Sequence, residues 1–225
     1  MKTIAVLFAF VLAGIGEGAL AMSFHAQPPY LFLAGKVVPT DWDAWNEAMK
    51  RFDGKIRAVV FDNCPGGTSR VGRQIGASIR EHAFMTVVAG RISSACANMF
   101  LGGTQRLFSA RLLERPTVIG YHGTYEHRNN HHLVKDRPPD YFIDMTGGKM
   151  SEELIARFTS IEKRSGLLYF IHPNQQAKEG ESLSYFCSGD ENPRYRDDEC
   201  ERLKDVDALS AGEFMSASII RMSRC

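Results

Sequence analysis

From Ile56 to His122 the chain alternates short apolar runs with one clear helical pattern, and each run ends in residues suited to turns or to chemistry. Residues 56–61 are an apolar run leading into Asp62-Asn63-Cys64-Pro65-Gly66-Gly67. So short a run, apolar but for Arg57, suits a buried strand. A helix is expected over 69–82, with Val71, Ile75 and Ile79 on one stripe, and Gly72 and Gly76 let it approach a neighbour closely. Residues 84–89 form the next strand. Strand, helix and strand in this order make a βαβ unit, hence a parallel sheet with a right-handed crossover. A short helix at 94–101 is closed by Gly102-Gly103, and strands follow at 105–109 and 117–121. Gly66-Gly67, Ser94 and His122 thus each fall at the end of a core element, where open α/β sheets concentrate function.

The flanking segments fit around this centre. Residues 30–38 read as one buried strand. Pro39-Thr40-Asp41 punctuates it and caps a helix whose Trp42, Trp45, Met49 and Phe52 form a core stripe, ended by Gly54. Ser151, followed by Glu152 and Glu153, opens a helix that buries Leu154, Ile155, Phe158 and Ile161. Residues 167–171 form a last core strand. The polar stretch 123–139 reads as a surface excursion; its His127, His131 and His132 have no interleaved carboxylate or cysteine, and no metal site is expected. Residues 174–205 are polar and turn-rich, and a Cys187–Cys200 disulfide would close a small loop there. Residues 206–225 are expected to end the chain as a packed helix.

Of the 225 residues 44% are hydrophobic and 24% charged, enough for a sizeable core, and a formal charge of +1 offers no field for nucleic acid. Lys2, the apolar run at 4–12 and Ala19-Leu20-Ala21 have the pattern of a signal peptide cleaved after Ala21. The alternative is an uncleaved anchor, for which the run is short and Glu17 close behind it. Cleavage removes Lys2 and Glu17, so 27 basic and 26 acidic residues become 26 and 25 and the charge stays +1. No later segment is apolar and long enough to span a bilayer, so the mature chain is expected off the membrane, in the periplasm or secreted. Three parts follow: a signal peptide at 1–21, an α/β domain at 22–173 and an extension at 174–225. Export places Cys64, Cys96, Cys187, Cys200 and Cys225 in an oxidising compartment. Five is odd, so one thiol stays free or pairs between chains, and no C-x-x-C spacing points to zinc or redox chemistry.

A serine nucleophile needs a base for its proton and preorganised donors for the oxyanion. Ser94, at a helix start, has the Ala95 N–H beside it. The glycine turn lets the Gly67 N–H approach, and His122 would be the base. Ser93 is a rival nucleophile. The bland alternative is that the glycines make a turn, Ser94 caps a helix and His122 is a hydrogen-bonded core histidine.

Val59-Val60-Phe61-Asp62-Asn63-Cys64-Pro65-Gly66-Gly67, followed by a helix, a strand, Ser94-Ala95-Cys96 and Ile119-Gly120-Tyr121-His122, resembles the Clp protease proteolytic subunit and its crotonase-fold relatives, above all the exported Clp-protease-like proteins of bacteria. The resemblance runs from about Leu31 to Pro173 and takes in the Gly102-Gly103-x-x-Arg106 turn. It implies a Clp/crotonase-like α/β spiral of ββα units with a mostly parallel sheet. Ser94 would be the nucleophile and His122 the general base, with an oxyanion hole from the N–H groups of Gly67 and Ala95. It also implies a cofactor-free serine hydrolase, peptidase-like, acting on peptides or unfolded proteins, and a homo-oligomer. The fold would bring the turns of Cys64 and Cys96 to one sheet edge, where they would pair or remain two buried thiols. Two departures stand out. The family's acid shortly before 171–173 has no counterpart in Gly166-Leu167-Leu168-Tyr169-Phe170, leaving Asp144, Asp205 and Asp207 as candidates from elsewhere. Ile92 stands where exported relatives often carry a cysteine. The missing acid keeps a second class of function open, a catalytically inactive binding or assembly module. An acyl-CoA enzyme is disfavoured by export, because that cofactor is cytoplasmic.

Overall fold

The computed structural model describes residues 21–109, 117–126, 133–134, 139–171, 183–191, 199–212 and 219–220. Residues 1–20, where the expected signal peptide falls apart from Ala21, the histidines 127, 131 and 132, and Cys225 lie outside the described residues.

The chain repeats one unit: a strand, a short second strand and a helix. In the first unit these are β2 (Tyr30–Ala34), β3 (Lys36–Val37) and α1 (Asp41–Arg51). In the second they are β4 (Ala58–Phe61), β5 (Gly66–Gly67) and α2 (Ser69–Glu81), and in the third β6 (Met85–Val88), β7 (Arg91–Ser93) and α3 (Ala95–Leu101). The fourth has β8 (Gln105–Ser109) and β9 (Val118–Tyr121) and reaches α4 (Pro139–Thr146) after a small hairpin, β10 (Thr124–Tyr125) and β11 (Leu133–Val134). First strands line up in parallel in a six-stranded sheet, order β1-β2-β4-β6-β8-β15, with β1 (Ser23–Gln27) an antiparallel edge and β15 (Ile219–Ile220) the other edge. Second strands turn away: β3 pairs with β5, and β7 pairs in parallel with β9. A five-stranded second sheet, order β14-β13-β12-β9-β7, is completed antiparallel by β12 (Leu167–Ile171), β13 (Ser184–Cys187) and β14 (Glu201–Arg202). This is the mixed α/β spiral of ββα units that the resemblance implies, with its larger sheet mostly parallel.

The main core lies between helices and sheets. Trp45, Phe61, Ile75, Ile79, Phe100 and Phe158 are fully buried in it, with Trp42, Met49 and Phe52 packed at its margin. Trp45 donates its indole N–H to Ser78 Oγ at 3.0 Å, so the expected stripe of α1 docks on α2. A side chain at Gly72 would put its Cβ 2.5 Å from the Ala95 carbonyl, and one at Gly76 would meet the Asn98 carbonyl at 2.9 Å. Both glycines therefore serve the close approach of α2 to α3. Ser151 Oγ accepts from Leu154 N at 3.2 Å and caps α5 (Glu152–Thr159) as its sequence predicts.

Four expectations change. The single strand expected at 30–38 is two, because Gly35, at φ 98°, turns the chain from the large sheet toward β5. The excursion at 123–139 contains the β10–β11 pair, and α4 follows it, starting at Pro139, whose missing N–H costs nothing at a first helical position. The turn-rich stretch at 174–205 contains β13 and β14. In the expected terminal helix, Ile219 and Ile220 are strand, paired with Phe108 and Ser109 of β8. The edge of β8 supplies ladder partners, and two adjacent β-branched residues suit a strand better than a helix.

Candidate active site

A cleft of about 290 Å³ opens where the second strands end, and Gly67, Ser94 and His122 all line it. β7 and β9 run parallel with Ser93 opposite Gly120, and Ser94 N donates to the Gly120 carbonyl at 2.9 Å. Ser94 follows β7 by one residue and His122 follows β9 by one, so the register brings them to the same sheet edge. Alternation along β9 sends Ile119 and Tyr121 into the core and leaves the next residue, His122, half-buried at the cleft.

The two serines differ. Ser93 Oγ donates to the Pro65 carbonyl at 3.0 Å, a bond that ties the glycine turn to β7. Ser94 sits at φ 54°, ψ −122°, outside the regions an L-residue ordinarily occupies, and makes no side-chain cap to α3. Such strain persists only where surrounding structure over-determines it. Here the constraints are the bond to Gly120, the acceptance of Asn98 N by the Ser94 carbonyl at 3.0 Å, and a disulfide between Cys64 and Cys96.

That disulfide and a second, Cys187–Cys200, are both formed. Cys64 also donates its N–H to Arg91 O and accepts from Ser93 N, each at 3.0 Å, so the turn, β7 and α3 are stapled together. Gly66, at φ 93°, has room for no side chain, since a Cβ would lie 2.6 Å from Ser94 Cβ. At Gly67, φ 145°, a Cβ would overlap the Val37 carbonyl. In a parallel ladder alternate residues face the partner strand. Thr68 donates to Val37 at 3.0 Å, so Gly67, one residue earlier, turns its N–H the other way. Ala95 is the first residue of α3, and its N–H is among those a helix cannot satisfy internally.

His122 Nδ1 lies 2.5 Å from the Gly123 carbonyl. A carbonyl only accepts, so the proton belongs on Nδ1 and Nε2 keeps its lone pair. Burial lowers the His122 pKa below 6.5 and the nearby Arg164 guanidinium pushes the same way, while the Gly123 bond opposes them. Tyr125 packs on the imidazole at 5.3 Å between centroids and donates to the Ile161 carbonyl at 2.5 Å. No carboxylate lines the cleft among the described residues. Asp144 is exposed, with its backbone carbonyl accepting from Gly147; Asp207 Oδ1 accepts from Leu209 and Ser210; Asp205 lines a separate groove beside α5. Among the described residues no hydrogen bond joins Ser94 Oγ to the His122 ring.

Sequence reasoning missed the Gly123 carbonyl, Tyr125 and Arg164. The carbonyl belongs to the backbone and has no signature of residue type, Tyr125 stands in a stretch that reads as a surface excursion, and Arg164 reaches the cleft from a segment remote in sequence.

No family model and no curated protein matches the chain. Among solved structures, an enoyl-CoA hydratase/isomerase from Marinobacter aquaeolei is similar at TM-score 0.43 and 10% identity, over 64% of this chain and 64% of that one. An enoyl-CoA hydratase from Shewanella pealeana gives 0.43 and 6%, over 68% and 64%. A membrane-bound stomatin-specific protease gives 0.39 and 11%, over 57% and 67%. The chain thus spans less than two thirds of the length of the two hydratases. At these scores the likeness carries no argument about chemistry, and the fold rests on the chain's own strand pairings.

Proposed function

We propose that the protein is a serine hydrolase, peptidase-like, with Ser94 as nucleophile and His122 as general base. One observation carries this reading: a strained, uncapped serine and a histidine with a basic Nε2 line one cleft with Gly67, and Ala95 follows the serine as the first residue of α3. Ser94 Oγ attacks the substrate carbonyl and its proton passes to His122 Nε2. The oxyanion accepts from the N–H groups of Gly67 and Ala95. Nε2 then protonates the leaving group, and water, deprotonated by Nε2, frees the acyl group from Ser94. The Gly123 carbonyl does the orienting that a carboxylate does in a triad, but it carries only a partial charge, so it stabilises the imidazolium less. Its substrates are peptides or unfolded chains, in keeping with an exported Clp-like protein in the periplasm or outside the cell. Both disulfides favour such an oxidising compartment.

That no carboxylate among the described residues lines the cleft favours a second reading, an inactive binding or assembly module. Labelling by a fluorophosphonate separates them. The enzyme reading expects covalent labelling of wild type at Ser94, lost in Ser94→Ala and reduced at least about a hundredfold in His122→Ala. A folded wild type that stays unlabelled leaves the module.

A further inference from the structure

Asp41, the first residue of α1, carries a carboxylate in a side chain only 2% exposed. Its Oδ2 accepts from Val38 N at 2.7 Å, and the backbone N–H of Met22 is a second donor to it. Among the described residues no Lys, Arg or His side chain forms an ion pair with it. Neutral donors do not fully replace the water such a group loses, and burial raises the Asp41 pKa despite both bonds. A cation beside the carboxylate would relieve that cost.

Met22 is where a cation can arise. It is buried in the main core at 5% exposure, whereas Ala21, bridged to Lys36 of β3, is exposed. Burial therefore changes at the bond that the signal-peptide pattern marks for cleavage. Hydrolysis of that bond adds the hydroxyl of water to the Ala21 carbonyl carbon and a hydrogen to Met22 N. The new amine then takes a further proton at neutral pH. An unfolded chain presents this bond during export, so docking of Met22 follows cleavage. We infer that Asp41 is the receptor for the α-ammonium group of Met22, and that this buried ion pair seats the new N-terminus against β3 and α1. The ammonium brings three donors where the amide had one. The anchored segment adjoins the cleft: Val37, next to Val38, lies opposite Gly67 and accepts from Thr68 N at 3.0 Å. The inference rests on cleavage after Ala21 and is independent of the acyl-transfer reading of Ser94.

The test expresses the full-length chain with export and isolates the exported product. Its intact mass is expected to correspond to a chain beginning at Met22, and a product beginning elsewhere overturns the inference. Acetylation by limiting acetic anhydride at neutral pH is then followed by peptide mass mapping of the terminal amine. Two variants are compared with wild type. Asp41→Asn keeps an acceptor for Val38 N and removes the charge. An alanine inserted between Ala21 and Met22 leaves Asp41 intact; the small-x-small pattern keeps the cut after Ala21, so the product carries one extra residue and its ammonium is displaced. The wild-type amine is expected to react at least about tenfold more slowly than that of either variant, because pairing holds it as the unreactive ammonium. Should Asp41→Asn fail to fold, the insertion still supplies the comparison. Equal rates in wild type and a folded variant overturn the ion pair. Ser94 takes no part in this reaction, so either result leaves the acyl-transfer reading where it stood.

Discussion

At His122 burial sets the balance of charge, and a single backbone group sets the tautomer. Burial and Arg164 both disfavour the imidazolium, and the Gly123 carbonyl holds the proton on Nδ1. The neutral base therefore persists at lower pH than for a free histidine. The acid limb of the pH–labelling profile is expected below 6.5, the ordinary histidine value. The same shift has a defined sign in stability. As pH falls below 6.5, the unfolded chain binds a proton that the folded chain refuses, so stability falls until the folded pKa is reached. Denaturant melts across that window are expected to slope less in His122→Gln than in wild type. A profile centred at or above 6.5 contradicts the burial argument. Ser94 is a residue-scale case of the opposite legibility. Its position before a short helix could be read from the chain, whereas its positive φ depends on partners brought from Gly120, Asn98 and Cys64.

Among the elements, α2 and α3 make the closest approach that matters to the site. Gly72 lies against the backbone of Ala95, the residue whose N–H faces the cleft in the proposed mechanism. Gly72→Ala is expected to push the helices apart, destabilise the fold by about 1–3 kcal/mol and slow Ser94 labelling. Thermal melts together with labelling rates check this; an unchanged labelling rate despite a lower melting temperature would separate packing from site geometry. The glycine spacing in 69–82 was readable because a glycine pair on a helix stripe has few other uses. The division of 30–38 into β2 and β3 was not, since an apolar run carries no mark of which sheet each residue joins. Only the φ of Gly35 records the change of sheet.

For the molecule as a whole, two disulfides act at different places. Cys64–Cys96 closes 32 residues of sequence through the site, and Cys187–Cys200 closes 13 between β13 and the segment before β14. Loop-closure entropy assigns them roughly 4 and 3 kcal/mol respectively. Replacing both members of either pair by serine is expected to lower the melting temperature by similar amounts. Only the Cys64/Cys96 pair is expected to lower fluorophosphonate labelling at a temperature where both variants are folded. Equal losses of labelling would show that the first disulfide has no special hold on the cleft. From periodicity and turn residues alone, the order of the central βαβ elements, the buried stripes of α1, α2 and α5, and the Ser151 cap were determined, because these depend on neighbours within a few residues. The Cys64–Cys96 pairing and the fold came from resemblance, and the Cys187–Cys200 pairing from the small loop it would close in a turn-rich stretch. The tertiary structure decided the rest: the two-sheet division of each unit, β15 in place of a helix, the carbonyl behind His122 and the burial of Asp41 beside Met22. Each of these depends on hydrogen-bond partners or facing surfaces distant in sequence, and local pattern holds no record of what a strand edge or an imidazole will meet once the chain has closed on itself.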